Sequence, residues 1–383
     1  MTGPDFRWDP YFMAKGPEFR EFWTQYLLSR PRNILYVLGL GFDPRTCTGL
    51  KEIMEIGGDG LRDCTMMVID EGSESMSERY KPLVAENRAC LLGLLANRGK
   101  LVEQPLEMWS DEQNGRRRIG SRKAAEVITG WSDFSAYTDV LIDVSALPRS
   151  VFFPLLTKAL FVFDQARKEA PVGPLTNLHA VVAENVAVDQ RMKVEGLDEA
   201  ASYVHGFRGD MEMETTATLP KLWLPVLGEG RREQLDRIFS HVNPEEICPI
   251  LPGPSAKPRR GDDLLVELRE LLFDRWNVEP RNIIYASERN PFDLYRQILR
   301  TSYRYNEALE PLGGCKVVVS ALSSKLLSVG ALLAACELKQ NGLSVGLAHV
   351  EALGYTFEPS PAGVSPVADE LFSLALAGES YLT

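Results

Sequence analysis

From Asn33 onward, short apolar runs rich in β-branched residues alternate with longer segments of helical period, the pattern of parallel strands joined by crossover helices. The first half contains N-I-L-Y-V-L-G-L-G from Asn33, D-C-T-M-M-V-I-D from Asp63, K-L-V-E-Q-P-L-E-M-W from Lys100, D-V-L-I-D-V-S from Asp139 and N-L-H-A-V-V-A-E-N-V from Asn177. These predict five strands with four intervening helices. From Leu222 the order restarts with L-W-L-P-V-L-G-E-G, E-E-I-C-P-I-L-P-G, R-N-I-I-Y-A-S, C-K-V-V-V-S-A-L and L-S-V-G-L-A-H-V. V-L-G-L-G at Val37 matches V-L-G-E-G at Val226, and V-S-A-L at Val144 returns at Val319, with loop-sized differences in spacing. A rival alignment of R-N-I-L-Y (from Arg32) on R-N-I-I-Y (from Arg281) leaves strands and helices unmatched, so it reads as coincidence. The pattern predicts an α/β chain of two tandem doubly wound parallel sheets arising by internal duplication.

The expected division is an aromatic N-terminal arm over 1–31, a first domain over 32–190, a polar linker or surface excursion over 191–220, and a second domain over 221–383 with a C-terminal tail. The arm docks on the body or on a partner; the pattern alone does not choose. A length of 383 residues suits two domains. A net charge of −11 argues against a surface built mainly to coat nucleic acid, which needs Lys and Arg to neutralise phosphate. The six cysteines are scattered, without C-x-x-C or zinc-type spacing, and read as reduced and structural. M-T-G-P-D-F-R-W-D does not resemble a signal peptide, and the longest apolar segments, such as Leu326 to Cys336, fall far short of the roughly 20 residues that span a bilayer. A cytoplasmic protein without a membrane partner is expected.

Ligands of a doubly wound sheet bind outside the carboxyl ends of its strands, where helices begin and offer N–H groups to an anion. The turn after the first strand is G-L-G-F-D-P-R-T, with Gly39 and Gly41 for close approach, Asp43, Pro44 to open a helix, and Arg45 to meet a phosphate. Its plainer reading is a tight turn with a solvated Arg. The full G-x-G-x-x-G fingerprint is missing. The second half supplies G-E-G-R-R, with Gly230 and Arg231. Asp70 and Glu71 of D-E-G-S could hold a ribose, and Lys257, Arg259 and Arg260 a phosphate, although those charges and Arg116 to Arg118 read more simply as solvated loops. The fourth-strand turn D-V-S-A-L-P-R is the most specific: Asp143, Ser145 and the first-turn Arg149 share one opening, or else form a helix cap over a buried carboxylate. In the second half Val318 replaces the Asp, and Ser320, Ser323, Ser324 and Lys325 follow.

D-x-S-x-x-x-R after the fourth strand, with a glycine-rich polar turn after the first, resembles the CRISPR-associated Rossmann fold (CARF) sensors. The resemblance implies Rossmann-like domains that work in pairs, a nucleotide ligand, cyclic in related two-domain chains, and a separate effector protein in prokaryotic antiviral defence. It assigns ligand contacts to Gly39, Gly41, Asp43, Arg45, Asp143, Ser145 and Arg149, and in the second half to Gly230, Arg231, Ser320, Ser324 and Lys325. Val318 departs from the pattern, which favours an asymmetric ligand. A homodimer stays open, and nucleic acid is not expected as the main partner.

Two other classes compete. A nucleotide hydrolase, transferase or ring-opening nuclease would use Asp143, Glu184 or Glu288 as acid or base. A non-catalytic scaffold subunit would leave the strand-end loops solvated. No H-E-x-x-H, nucleophile elbow or P-loop is present, and no metal or cofactor is expected. His349 and Glu351 alternate onto one face near a fifth-strand end, whereas lone strand histidines usually belong to the core.

Overall fold

The computed structural model describes residues 5–72, 79–96, 98–112, 115–170, 175–358 and 369–381, excluding the side chains of 111–116. The chain divides into two compact units. One comprises Pro10–Glu195 and the segment from Leu353; the other comprises the residues up to Asp9 and Gly196–Ala352.

The first unit carries β1 (Met13–Lys15), α1 (Pro17–Ser29), β2 (Ile34–Leu40), α2 (Thr48–Ile56), β3 (Arg62–Asp70), α3 (Lys81–Leu95), β4 (Leu101–Glu107), a hairpin of β5 (Trp109–Glu112) and β6 (Gly115–Arg118), α4 (Gly120–Glu126), β7 (Asp139–Asp143), α5 (Arg149–Glu169), β8 (Asn177–Glu184) and α6 (Val186–Arg191), followed by β9 (Met192–Leu197). The second carries β10 (Ser202–Tyr203), α7 (Gly209–Glu212), β11 (Lys221–Val226), α8 (Arg232–Val242), β12 (Glu246–Ile247), β13 (Ile250–Pro252), α9 (Arg260–Glu267), β14 (Ile284–Ala286), α10 (Pro291–Ala308), β15 (Lys316–Ala321), α11 (Lys325–Gln340) and β16 (Val345–His349). β17 (Ala352–Phe357) pairs with β9, and β18 (Glu370–Ala377) returns to the first sheet.

Both sheets use one strand order. The first reads β1-β18-β8-β7-β2-β3-β4, and the second β10-β16-β15-β11-β13-β14. Numbered along each half, the parallel cores both run fifth, fourth, first, second, third, so the order reverses between the first and fourth strands. An antiparallel strand closes each fifth-strand edge, β18 on β8 and β10 on β16. Helices cover both faces, which is why β7 and β15 are buried at every position. Phe19, Trp23, Leu50, Ile53 and Leu91 from α1, α2 and α3 fill one face of the first sheet. Leu235, Ile238 and Leu264 from α8 and α9 do so for the second. The chain is thus two Rossmann-like α/β units.

Several sequence expectations change. The stretch 191–220, read as a linker or surface excursion, contains β10 and α7, and buries Val204, Phe207 and Met211 in the second unit. The expected C-terminal tail supplies β18, at the heart of the first sheet's antiparallel edge. Arg116 to Arg118 lie in a hairpin strand rather than a loop, and Arg118 sits 4.3 Å from the Trp109 ring centre. R-N-I-I-Y falls on edge strand β14 and R-N-I-L-Y on central β2, which agrees with reading their likeness as coincidence. The N-terminal arm docks on the chain itself: α1 packs in the first unit, and Trp8 is fully buried in the second.

Candidate functional site

The two reversal points, between β2 and β7 and between β11 and β15, are where a doubly wound fold opens a crevice to ligands. In the first unit Gly39 sits within β2, and a Cβ there would lie 2.3 Å from Leu147 Cδ2. In the second, a Cβ on Gly228 would lie 2.3 Å from the Leu322 carbonyl oxygen. The last residue of each V-S-A-L therefore lies against the first glycine of each V-L-G turn, through its side chain in the first unit and its backbone in the second. That approach accounts for the paired glycines without any ligand.

The repeated serines do different work. Ser145 lies beyond the end of β7, and its hydroxyl accepts from the Ala183 N–H on β8 at 2.8 Å. Ser320 lies inside β15, opposite Pro225, and accepts from Trp223 Nε1 at 3.0 Å. Both hydroxyls are buried and spent internally. Asp143 is buried as well: it accepts from the Tyr36 hydroxyl at 2.7 Å and from the Ser145 N–H at 2.9 Å. Burial, and then Asp143, hold the Tyr36 hydroxyl well above its usual range, and the same two causes push the Cys64 thiol up to about 12. α2 closes over this pair at Gly49, where a Cβ would fall 2.2 Å from the Tyr36 oxygen. Asp143 is thus a buried strand-end carboxylate, but neither it nor Ser145 caps α5, whose N-cap is Pro148 with no side-chain hydrogen bond.

Arg45, expected at a phosphate, is buried in ion pairs. Its Nη2 meets Asp43 Oδ2 at 2.8 Å, its Nε meets Asp43 Oδ1 at 3.0 Å, and its Nη1 meets Asp189 Oδ1 at 2.8 Å. Burial opposes the charge, but Asp43 and then Asp189 outweigh it and raise the guanidinium pKa. Asp43 also caps the short helix opened by Pro44, and Asn87 of α3 holds the carbonyls of Gly41 and Asp43 at 2.8 and 3.1 Å. Gly41 itself has open space where a Cβ would stand.

In the second unit, Ser324 is the N-cap of α11, accepting from the Leu327 N–H at 3.2 Å. Gly230 has a φ of 66° and donates its N–H to Glu267 at 2.8 Å, while Arg231 reaches Gln234 at 3.3 Å. Arg260 bridges Glu229, at 2.7 Å, and Glu288, whose other oxygen accepts from the Ala256 N–H at 3.0 Å. That bridge holds the Glu229 carboxyl below its usual range. It leaves Lys257 and Arg259 as the exposed cations of that loop. Asp70 is exposed and accepts from the Gly72 N–H of its own loop at 2.8 Å, and Ser73 lies outside the described residues. Glu184 ends β8 opposite Glu370.

Two cations occupy matching places. Arg149 is the first residue of α5 and Lys325 the first of α11, each half-buried at the helix that follows the fourth strand. A cation there opposes the helix dipole by about 0.3–1 kcal/mol, so helix formation alone does not favour it. The sequence named both residues. It missed Tyr36, Gly49, Asn87 and the Glu229–Arg260 pair; a tyrosine inside an apolar strand was the one available signal, because a buried hydroxyl needs a partner.

Among the described residues no group of three or more His, Cys, Asp or Glu could hold a metal ion, and no helix is long and apolar enough to cross a membrane. No protein-family model and no curated protein matches the chain. Among solved structures, the chain is similar to a type III CRISPR defence DNA nuclease activated by cyclic oligoadenylate, at 11% identity and a TM-score of 0.41, covering 79% of this chain. It spans only 63% of that nuclease chain. It is also similar to a universal stress protein from Archaeoglobus fulgidus DSM 4304, at 9% identity and a TM-score of 0.23, covering 84% of this chain and 97% of that one.

Proposed function

We propose that the protein is a cytoplasmic nucleotide sensor of prokaryotic antiviral defence, which passes ligand binding to a separate effector protein. The observation that supports this is the pair of cations, Arg149 and Lys325, at the first turns of α5 and α11, beside the strand-order reversal of each sheet. A helix N-terminus and a side-chain cation together suit a phosphate. The resemblance of D-x-S-x-x-x-R to the CARF pattern supplies the defence setting. Within that pattern the ligand contacts narrow to Arg149 and the Gly41 turn in one unit, and to Lys325 with Arg231 in the other. Asp143, Ser145, Ser320 and Ser324 support the walls of the sites.

The sensor reading is favoured over catalysis because two candidate carboxylates are engaged within the fold, Asp143 with Tyr36 and Glu288 with Arg260. It is tested by native mass spectrometry and calorimetry with a panel of linear and cyclic nucleotides. A bound nucleotide is expected in wild type, with affinity reduced about tenfold or more in Arg149→Ala or Lys325→Ala, the size of a lost charge-assisted contact. A folded protein that binds none of the panel, or binds it equally in both variants, rejects the proposal.

A further inference from the structure

The first unit has a concave feature at the opposite end of its strands from the strand-order reversal. A hollow of about 750 Å³ is lined by the end of α1 with Leu27, Leu28 and Arg30, by the Gly57–Gly60 turn, and by Arg62 and Arg98. These residues precede β2, β3 and β4 or, as Arg62 does, open a strand, so they belong to the amino edge of the sheet.

The charges at this hollow are unbalanced. Arg62 is buried, and its guanidinium donates only to carbonyls: Nη1 to Arg32 at 2.6 Å and Leu61 at 3.0 Å, and Nη2 to Gly57 at 2.9 Å. No carboxylate lies within ion-pairing distance of it among the described residues. A guanidinium has five donors, so some N–H capacity remains beyond these three bonds. Burial, with Arg98 as a further cause, lowers the Arg62 pKa, against the pull of Asp139 and Asp59. Arg98 is exposed, and its side chain makes no hydrogen bond or ion pair with any described residue. Arg30 pairs with Glu379, which leaves Asp59 as the one carboxylate lining the hollow. Backbone packs closely around Arg62: a Cβ on Gly60 would lie 2.1 Å from the Arg32 carbonyl oxygen, and one on Gly99 2.0 Å from that of Arg62. Leu28, 63% exposed, gives one wall an apolar surface.

We propose that this hollow is an anion site for a small phosphorylated molecule, with the phosphate between Arg62 and Arg98 and an apolar or ring portion against Leu28. Two guanidinium groups without a bonded carboxylate match a phosphate dianion in charge and in fork geometry. A single concavity on a chain of net charge −11 does not offer the extended basic track that a nucleic-acid backbone needs. The site is separate from the crevices of the proposed sensor function and does not depend on them.

The test is calorimetric titration of the full chain with inorganic pyrophosphate, in an Arg149→Ala/Lys325→Ala background that removes the proposed crevice cations. One binding event is expected, weakened at least tenfold by adding Arg98→Glu and partly restored by Arg98→Lys. Arg98 is exposed, so these variants are expected to fold. Absence of binding in the double variant, or unchanged binding with Arg98→Glu, overturns the site whatever the outcome at the crevices. Tighter competition by a short duplex DNA than by ADP overturns its assignment to a small molecule.

Discussion

His179 shows how one buried group ties stability to pH. It lies on β8 with its ring centre 5.1 Å from that of Trp23, and burial pushes its pKa from 6.5 down to about 4, with Asp139 pulling upward, Arg32 downward and Glu379 upward. The unfolded chain binds the proton more tightly, so the contribution of this group is fully present above about pH 6.5 and is lost as the pH falls toward 4. Urea unfolding followed across that window is expected to show a loss of up to about 3 kcal/mol, with a shallower fall in His179→Gln. A decline of equal steepness in the variant would assign the acid sensitivity to other groups. Arg45 makes a parallel point: its main partner, Asp43, stands two residues away in the sequence, while Asp189, far along the chain, takes up the remaining end of the guanidinium.

At the scale of elements, V-S-A-L shows what a local repeat does and does not transmit. Both copies build a strand-to-helix turn whose leucine lies against a glycine of the first strand's turn, through its side chain in the first unit and its backbone in the second. The cross-strand register differs, because Ser320 is inside its ladder and Ser145 is past the end of its own, so the two hydroxyls meet unrelated donors. The helix starts differ too: Pro148 precedes α5 without a side-chain cap, whereas Ser324 caps α11. Ser324→Ala is therefore expected to cost about 1 kcal/mol in chemical unfolding, while nucleotide affinity stays within about twofold of wild type. A large loss of affinity with unchanged stability would make Ser324 a ligand contact instead of a cap.

At the scale of the whole molecule, the N-terminal segment is an integral part of the second unit. Trp8 is fully buried, with its ring centre 5.4 Å from that of Tyr295 on α10, and the Arg7 N–H donates to Glu337 of α11 at 3.2 Å. Burial raises the Glu337 pKa, against the hydroxyl of Tyr295 that donates to it. Trp8→Ala is expected to destabilise this unit by about 3–5 kcal/mol, the cost of emptying a buried aromatic site. Amide exchange should then accelerate in α10 and α11 and stay unchanged in β2 and β7. Uniform exchange across both units, or none, would contradict the division of the chain drawn from its contacts.

The sequence by itself determined the ten core strands, the helices between them and the restart of the plan near Leu222, because apolar periodicity and turn residues act within a few positions of one another. It also placed Arg149 in the first turn of a helix, because Pro148 just after a strand sets up a helix start, and it named Lys325 as the cation after V-S-A-L in the second half. Only the tertiary structure decided that β18 joins the first sheet, that 191–220 belongs to a core, and that Asp143, Ser145 and Arg45 are bound within the fold. The outcomes for Asp143 and Ser145 turn on partners brought together across long stretches of chain, Tyr36 and Ala183, and packing adds the distant Asp189 to the near neighbour Asp43 that already holds Arg45. A buried polar group must find its partner wherever packing puts one, and that location is not written in local pattern.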